Sequence, residues 1–225
     1  MEIAGFIVNS FVDYPGNIAS VVFTPGCNMN CWYCHNRDII SETKGGYDED
    51  KILREIETRK KFLDGVVISG GEPTLQKDLL SFAEKIKKLG LKVKLDTNGT
   101  NCSVVKKMVQ EGLVDYIAMD IKAPFDKYNK VTIVKDVEEV KKTVKYIMEC
   151  GINYEFRTTF APNLTVDDVV EICKSIQGAQ MFALQGYRVP HYLDENKVPP
   201  HKNSLFADVK EKAEKFVQKF VIRNI

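Results

Sequence analysis

The sequence predicts a single α/β domain spanning 1–225, built as a partial (β/α)6 barrel with a parallel sheet and helices outside. Three observations predict it. Short apolar runs suited to buried strands alternate with amphipathic stretches of helical period; Gly, Pro and Asn mark the joins; and 225 residues suffice for one domain with a substantial core. The first run, IASVVFT (18–24), is followed by a helical pattern near 48–62, and GVVIS (65–69) by one near 75–89. KVKLDT (92–97) precedes a helix near 103–111, and YIAMDIK (116–122) one near 136–150. YEFRTTF (154–160) leads to 166–177, and QMFALQ (180–185) to 205–219. Six strand-then-helix units imply right-handed crossovers and functional residues at the carboxyl ends of the strands. There is no fixed-period repeat and no low-complexity linker. The one loose segment is the Pro-rich stretch 187–204, a candidate lid or docking loop.

Charge and hydropathy narrow the function. Thirty-two basic residues against 31 acidic ones leave a net charge of +1, which gives no electrostatic case for nucleic acid or an anionic membrane as the main partner. No apolar stretch approaches the roughly 18 to 20 residues of a membrane span, and the first residues lack a signal-peptide pattern, so the expected location is cytoplasmic. In that compartment clustered cysteines read as metal or redox groups. Cys102, Cys150 and Cys173 stand alone and are expected to be small buried apolar residues.

Cys27, Cys31 and Cys34 lie within eight residues, in GCNMNCWYCHN. Soft thiolates select zinc, copper(I) or iron-sulfur clusters, and structural zinc sites and electron-transfer clusters ordinarily take four protein ligands. Three thiolates would leave one iron of a cubane open. His35 could complete a zinc site, although adjacent residues rarely share one tetrahedral ion, and CWYCH matches the c-type haem attachment pattern.

CxxxCxxC with an aromatic, Tyr33, before the last cysteine resembles the radical S-adenosylmethionine enzymes, which hold a 4Fe-4S cluster with one open iron. Further strings carry the resemblance. Gly70, Gly71 and Glu72 open the run GGEP, where glycines allow close backbone approach to a ligand; the resemblance gives this motif to the cofactor's amino group, with Glu72 its carboxylate. LDTNG and MDIKAP resemble one subgroup, the activases of glycyl-radical enzymes, and assign Thr97, Asn98, Asp120 and Lys122 to the cofactor site. Residues two apart on a strand share a face, so Asp120 and Lys122 point together while Met119 and Ile121 face the opposite layer. The same resemblance implies a monovalent cation held by Asp96, Thr97, Asp120 and the carbonyl of Ala118. Arg157, in an otherwise apolar strand, needs an anion, and the cofactor carboxylate is one candidate. Gln185, Tyr187 and His191 follow the sixth strand, where activases close over the adenosine; His191 in its Pro-rich loop reads better as solvated.

The resemblance covers about 10–190. DYPG, TPGCN and CHN are most similar to anaerobic ribonucleoside-triphosphate reductase activating proteins, while the absence of further cysteines between Cys34 and Gly70 implies a single cluster. It implies an oxidoreductase in which flavodoxin or ferredoxin reduces the cluster, S-adenosylmethionine is cleaved to methionine and a 5′-deoxyadenosyl radical, and that radical takes hydrogen from a glycine of a large partner enzyme. Two alternatives stay open: a radical enzyme acting on a small molecule or peptide, and a non-enzymatic haem or iron-sulfur electron carrier.

Overall fold

The computed structural model describes residues 1–41, 45–134 and 136–224. One eight-stranded sheet organises them, its strands lying side by side in chain order. β1 (Gly5–Ser10) pairs antiparallel with β2 (Ala19–Thr24). From β2 onward all neighbours are parallel: β3 (Gly65–Gly70), β4 (Lys92–Thr97), β5 (Tyr116–Asp120), β6 (Asn153–Phe160), β7 (Phe182–Gly186) and β8 (Phe220–Arg223). β1 and β8 are the two edges, so the barrel stays open on one side.

The six expected strands are β2 to β7, each bounded within two residues of expectation. The helices are α1 (Arg37–Ile40), α2 (Glu49–Arg59), α3 (Leu79–Lys88), α4 (Cys102–Gln110), α5 (Glu138–Glu149), α6 (Val166–Ser175) and α7 (Asn203–Ala213). Local chemistry starts two of them firmly. The Asp48 carboxylate accepts from Lys51 N at 2.8 Å ahead of α2, and Thr165 and Asp168 form a reciprocal capping box on α6.

Two strands were not expected. β1 is half-buried along most of its length, which blurs the alternation that marks a strand. β8 follows a segment with helical character, but α7 stops at Ala213: Gln218 N donates to Ala179 O and Phe182 N to Lys219 O, drawing the chain onto the sheet edge. Tertiary hydrogen bonding overrides local propensity there. The expected helix from 75 likewise begins at Leu79, because Pro73–Leu75 forms a separate 3-10 turn.

The sheet's two faces do different work. Outward residues such as Val66, Ile68, Leu95, Ile117, Phe156 and Leu184 are fully buried against the helices. Met119 and Ile121 belong to this layer, as their spacing required. The inward face is apolar at one end, where Tyr14, Ala19, Val21, Val67, Tyr116 and Ala118 cluster, and charged toward the strands' carboxyl ends. Cys102 and Cys173 are buried as expected, and desolvation pushes the Cys173 thiol up to about 12; Cys150 is only half-buried. No helix among the described residues is long and apolar enough to cross a membrane.

Candidate functional site

The loop after β2 carries the three cysteines and is held from four directions. Gly26 N and Cys27 N donate to Ile39 O and Ile40 O, closing the loop on α1, and Cys34 N turns back to Cys31 O at 3.1 Å. Trp32 N donates to Val131 O, and Ile133 N to Met29 O. Asn36 Nδ2 ties the loop to Gly70 O at 2.8 Å. From outside, Tyr192 of the Pro-rich segment donates to Cys34 O at 2.7 Å, while Arg37 bonds Cys31 O and covers the Tyr192 ring. The 187–204 segment is thus a strap over the cysteine loop.

All three thiols line one cavity of about 240 Å³ at the carboxyl ends of the strands. Among the described residues no three His, Cys, Asp or Glu side chains converge on a single-ion site, so the thiols are spaced around a space and not closed on a point. Burial pushes the Cys31 thiol up to about 11, with the Lys122 ammonium as the main opposing influence; burial also raises Cys34. Binding iron to such thiols releases protons.

Gly70 and Gly71 also line this cavity, and their nearest demand comes from the protein itself. Gly70 has φ of 116°, and a Cβ on Gly71 would lie 1.8 Å from Gly26 O. Only glycine lets the end of β3 pass this close to the base of the cysteine loop. Glu72 is fully buried and does not line the cavity. Its carboxylate accepts four hydrogen bonds: from Thr74 N at 3.1 Å, Thr74 Oγ1 at 2.5 Å, Thr97 Oγ1 at 2.8 Å and Asn98 N at 2.6 Å. Desolvation raises its pKa, and those hydrogen bonds oppose the rise. With these partners the side chain rivets the GGEP turn to the DTNG loop. Asn98 passes the restraint on, its Nδ2 reaching Asn28 Oδ1 at 2.9 Å and Cys27 Sγ at 3.8 Å.

Across β4, β5 and β6 runs an alternating charge network. Arg157 Nε donates to Asp120 Oδ1 at 2.8 Å and its Nη1 to Asp96 Oδ2 at 3.2 Å; Lys122 Nζ donates to Asp120 Oδ2 at 3.0 Å, and Lys94 Nζ to Asp96 Oδ1. Although burial works against charge on both, these cations hold Asp96 and Asp120 below the usual carboxylate range. Lys122 and Arg157 stay protonated for the same reason, with Asp120 their principal counter-charge. The anion that Arg157 required is therefore supplied by two protein carboxylates. Of the groups expected around a monovalent cation, Asp96 and Asp120 are paired with three protein cations and the Thr97 hydroxyl donates to Glu72.

Asp96, Thr97, Asn98, Asp120, Lys122, Arg157, Gln185 and Tyr33 all line the cavity. His191 is exposed, 3.9 Å from Asp38, and away from it. Tyr187 packs its ring 5.9 Å from Trp32 and 6.3 Å from Tyr33. The sequence reading missed Ser69 and Thr159, which line the cavity, and Lys94, which supports it. Period-two alternation from Asp96 and Arg157 would have found Lys94 and Thr159. Arg157 and Gln185 also line a second cavity, of about 420 Å³, beside Val12, Asp13 and Arg223 between the sheet edges.

The residues present fit an iron-sulfur cluster with a bound amino-acid cofactor. Three soft thiols and a set of hard cationic and carboxylate groups line the same cavity, and the Tyr33 hydroxyl is buried with no partner among the described residues.

Residues 21–176 match the family model of the radical SAM superfamily. The chain is 38% identical over 232 aligned residues to a protein of Methanocaldococcus jannaschii named as a candidate glycyl-radical enzyme activating enzyme, covering 99% of this chain and 96% of that one. It is 29% identical to pyruvate formate-lyase 1-activating enzyme of Escherichia coli over 70% of this chain and 66% of the relative. Among solved structures, Streptococcus suis SuiB bound to S-adenosylmethionine superposes with a TM-score of 0.66 at 17% identity, covering 89% of this chain and 51% of SuiB; this likeness concerns the fold.

Proposed function

From the premise that the chain belongs to the radical SAM superfamily, among the glycyl-radical enzyme activating enzymes, we propose that its cavity carries out hydrogen abstraction from a glycine of an anaerobic ribonucleoside-triphosphate reductase. A radical SAM oxidoreductase uses a 4Fe-4S cluster and S-adenosylmethionine, and activases of this group act on a glycyl-radical enzyme. One observation carries the activase reading: three thiols share a cavity with Lys122 and Arg157, and Arg157 and Gln185 also line a second cavity between β1 and β8; the choice of reductase rests on the likeness of DYPG, TPGCN and CHN alone.

When bound, the cluster and S-adenosylmethionine together would supply the one-electron reductive cleavage and hydrogen-abstraction chemistry of the superfamily. Cys27, Cys31 and Cys34 would hold the cluster. Lys122 and Arg157 present cationic groups to a carboxylate, Gly70 and Gly71 bring bare backbone to the cavity, and the buried Tyr33 hydroxyl offers a hydrogen bond. Glu72 positions this turn without touching the ligand. Apolar packing of Trp32, Tyr33 and Tyr187 over one side limits water access, which a reactive radical requires. The second cavity gives a partner's glycine-bearing loop a path to the same space. Flavodoxin or ferredoxin as donor and a cytoplasmic location complete the proposal.

The test is anaerobic reconstitution, reduction with dithionite in the presence of S-adenosylmethionine, and assay of 5′-deoxyadenosine together with the glycyl-radical electron paramagnetic signal on a co-expressed reductase. Cleavage without a signal would point to another substrate; no cleavage would sink the enzyme reading.

A further inference from the structure

We propose that Lys94 is a positioning residue that sets the charge of the cofactor cavity, giving its wall one positive charge in excess for the single carboxylate of S-adenosylmethionine. The inference rests on the cofactor reading above and is independent of which protein is activated.

Lys94 is 1% exposed and its ammonium pairs with Asp96. A lysine this deep is seldom retained without a compensating partner, and a well-packed apolar residue would often serve stability as well. Lys94 does not line the cavity, so it cannot touch a ligand there. It lies two residues back along the inward face of β4, beneath Asp96, which does line it.

Charge counting shows what this placement achieves. Asp96 and Asp120 carry two negative charges, and Arg157 bridges both. With Lys122 alone added, the wall would be neutral. Lys94 makes three cations against two carboxylates. The neighbouring pair of Glu155 and Arg223 is compensated within itself, and Glu72 is turned onto four uncharged donors outside the ion-pair network, so the network's own excess is one. Inside a protein the effective dielectric is low, so a charge one side-chain layer away is felt by an entering anion. By sharing Asp96 with Arg157, Lys94 leaves the network with one more cation than carboxylates, so a ligand carboxylate can be met at Arg157 and Lys122 while both keep their protein partners.

The experiment measures equilibrium binding of S-adenosylmethionine and its decarboxylated analogue to the cluster-reconstituted, unreduced protein. Lys94→Met is expected to weaken S-adenosylmethionine binding about tenfold or more and to leave the analogue, which keeps the ammonium and sulfonium but has no carboxylate, unchanged or more tightly bound. The double variant Lys94→Met/Asp96→Asn removes one charge of each sign, restores the excess of one, and is expected to recover most of the affinity. A merely structural lysine would affect both ligands alike and gain nothing from the second substitution. Equal loss for both ligands, unchanged affinity in Lys94→Met, or a double variant as weak as the single one overturns the proposal. If Lys94→Met does not fold, the double variant decides alone, since neither charge is then left buried without its partner. An unmodified protein that bound neither ligand would sink the cofactor reading as well, which the other overturning outcomes leave standing.

Discussion

Asp120 and Arg157 are direct register partners across β5 and β6, and their side chains meet at 2.8 Å between Oδ1 and Nε. The sheet itself therefore sets the geometry of this pair. Removing the guanidinium leaves Asp120 with Lys122 and Asp96 with Lys94, both at the cavity wall. Because each carboxylate keeps one cation, Arg157→Ala is expected to cost about 1.5–3 kcal/mol of stability, the worth of hydrogen bonds between charged groups. Urea unfolding of the cluster-free protein measures this, and a loss below about 1 kcal/mol would show the pair to be solvated.

Acid should unfold the protein through the same carboxylates. Asp96 and Asp120 are depressed in the folded state, so at low pH the unfolded chain binds more protons. Their contribution is fully present above the ordinary aspartate range near 4 and is lost as pH falls through the folded values below it. Urea midpoints of the cluster-free protein between pH 6 and 2 are expected to fall steeply only at the acid end, with a shallower fall in Asp120→Asn.

Gly71→Ala tests the join between β3 and the cysteine loop. The added methyl would meet Gly26 O at 1.8 Å, a backbone atom that cannot swing away. The loop must shift, at about 3 kcal/mol or more. Iron content after reconstitution is expected to fall well below that of the unmodified protein; full cluster occupancy would refute the argument.

Glu72→Gln tests whether that carboxylate is a rivet. An amide replaces one acceptor oxygen with a donor, facing N–H and hydroxyl donors in a fully buried site. The expected loss is about 1–3 kcal/mol of stability, seen in thermal unfolding before any cofactor is added. A stable variant with weakened cofactor binding alone would instead return Glu72 to the ligand.

Tyr192→Phe removes a donor shared by Cys34 O at 2.7 Å and Trp32 O at 3.2 Å. About 1 kcal/mol of strap closure should be lost. Chelator-driven iron release is expected to quicken while global stability changes little; an unchanged release rate would leave the strap without a hold on the cluster loop.

The sequence by itself determined the barrel's six central strands, the three thiols and the set of polar residues at the strand ends. Period-two alternation, cysteine spacing and glycine-rich joins are local properties, readable along one dimension. Only the tertiary structure decided how those residues divide their work. Glu72 turned inward because four donors from two separate loops converge on it. Arg157 met Asp96 and Asp120 because β4, β5 and β6 are neighbours, and β8 formed because the sheet edge offered hydrogen bonds that its own sequence did not announce. Lys94 shares a face with Asp96 by simple alternation, but only the folded sheet shows it buried and paired with that carboxylate. Pairing between distant segments is set by packing and hydrogen bonding that no single segment contains, and the charge of the cavity is a property of that pairing.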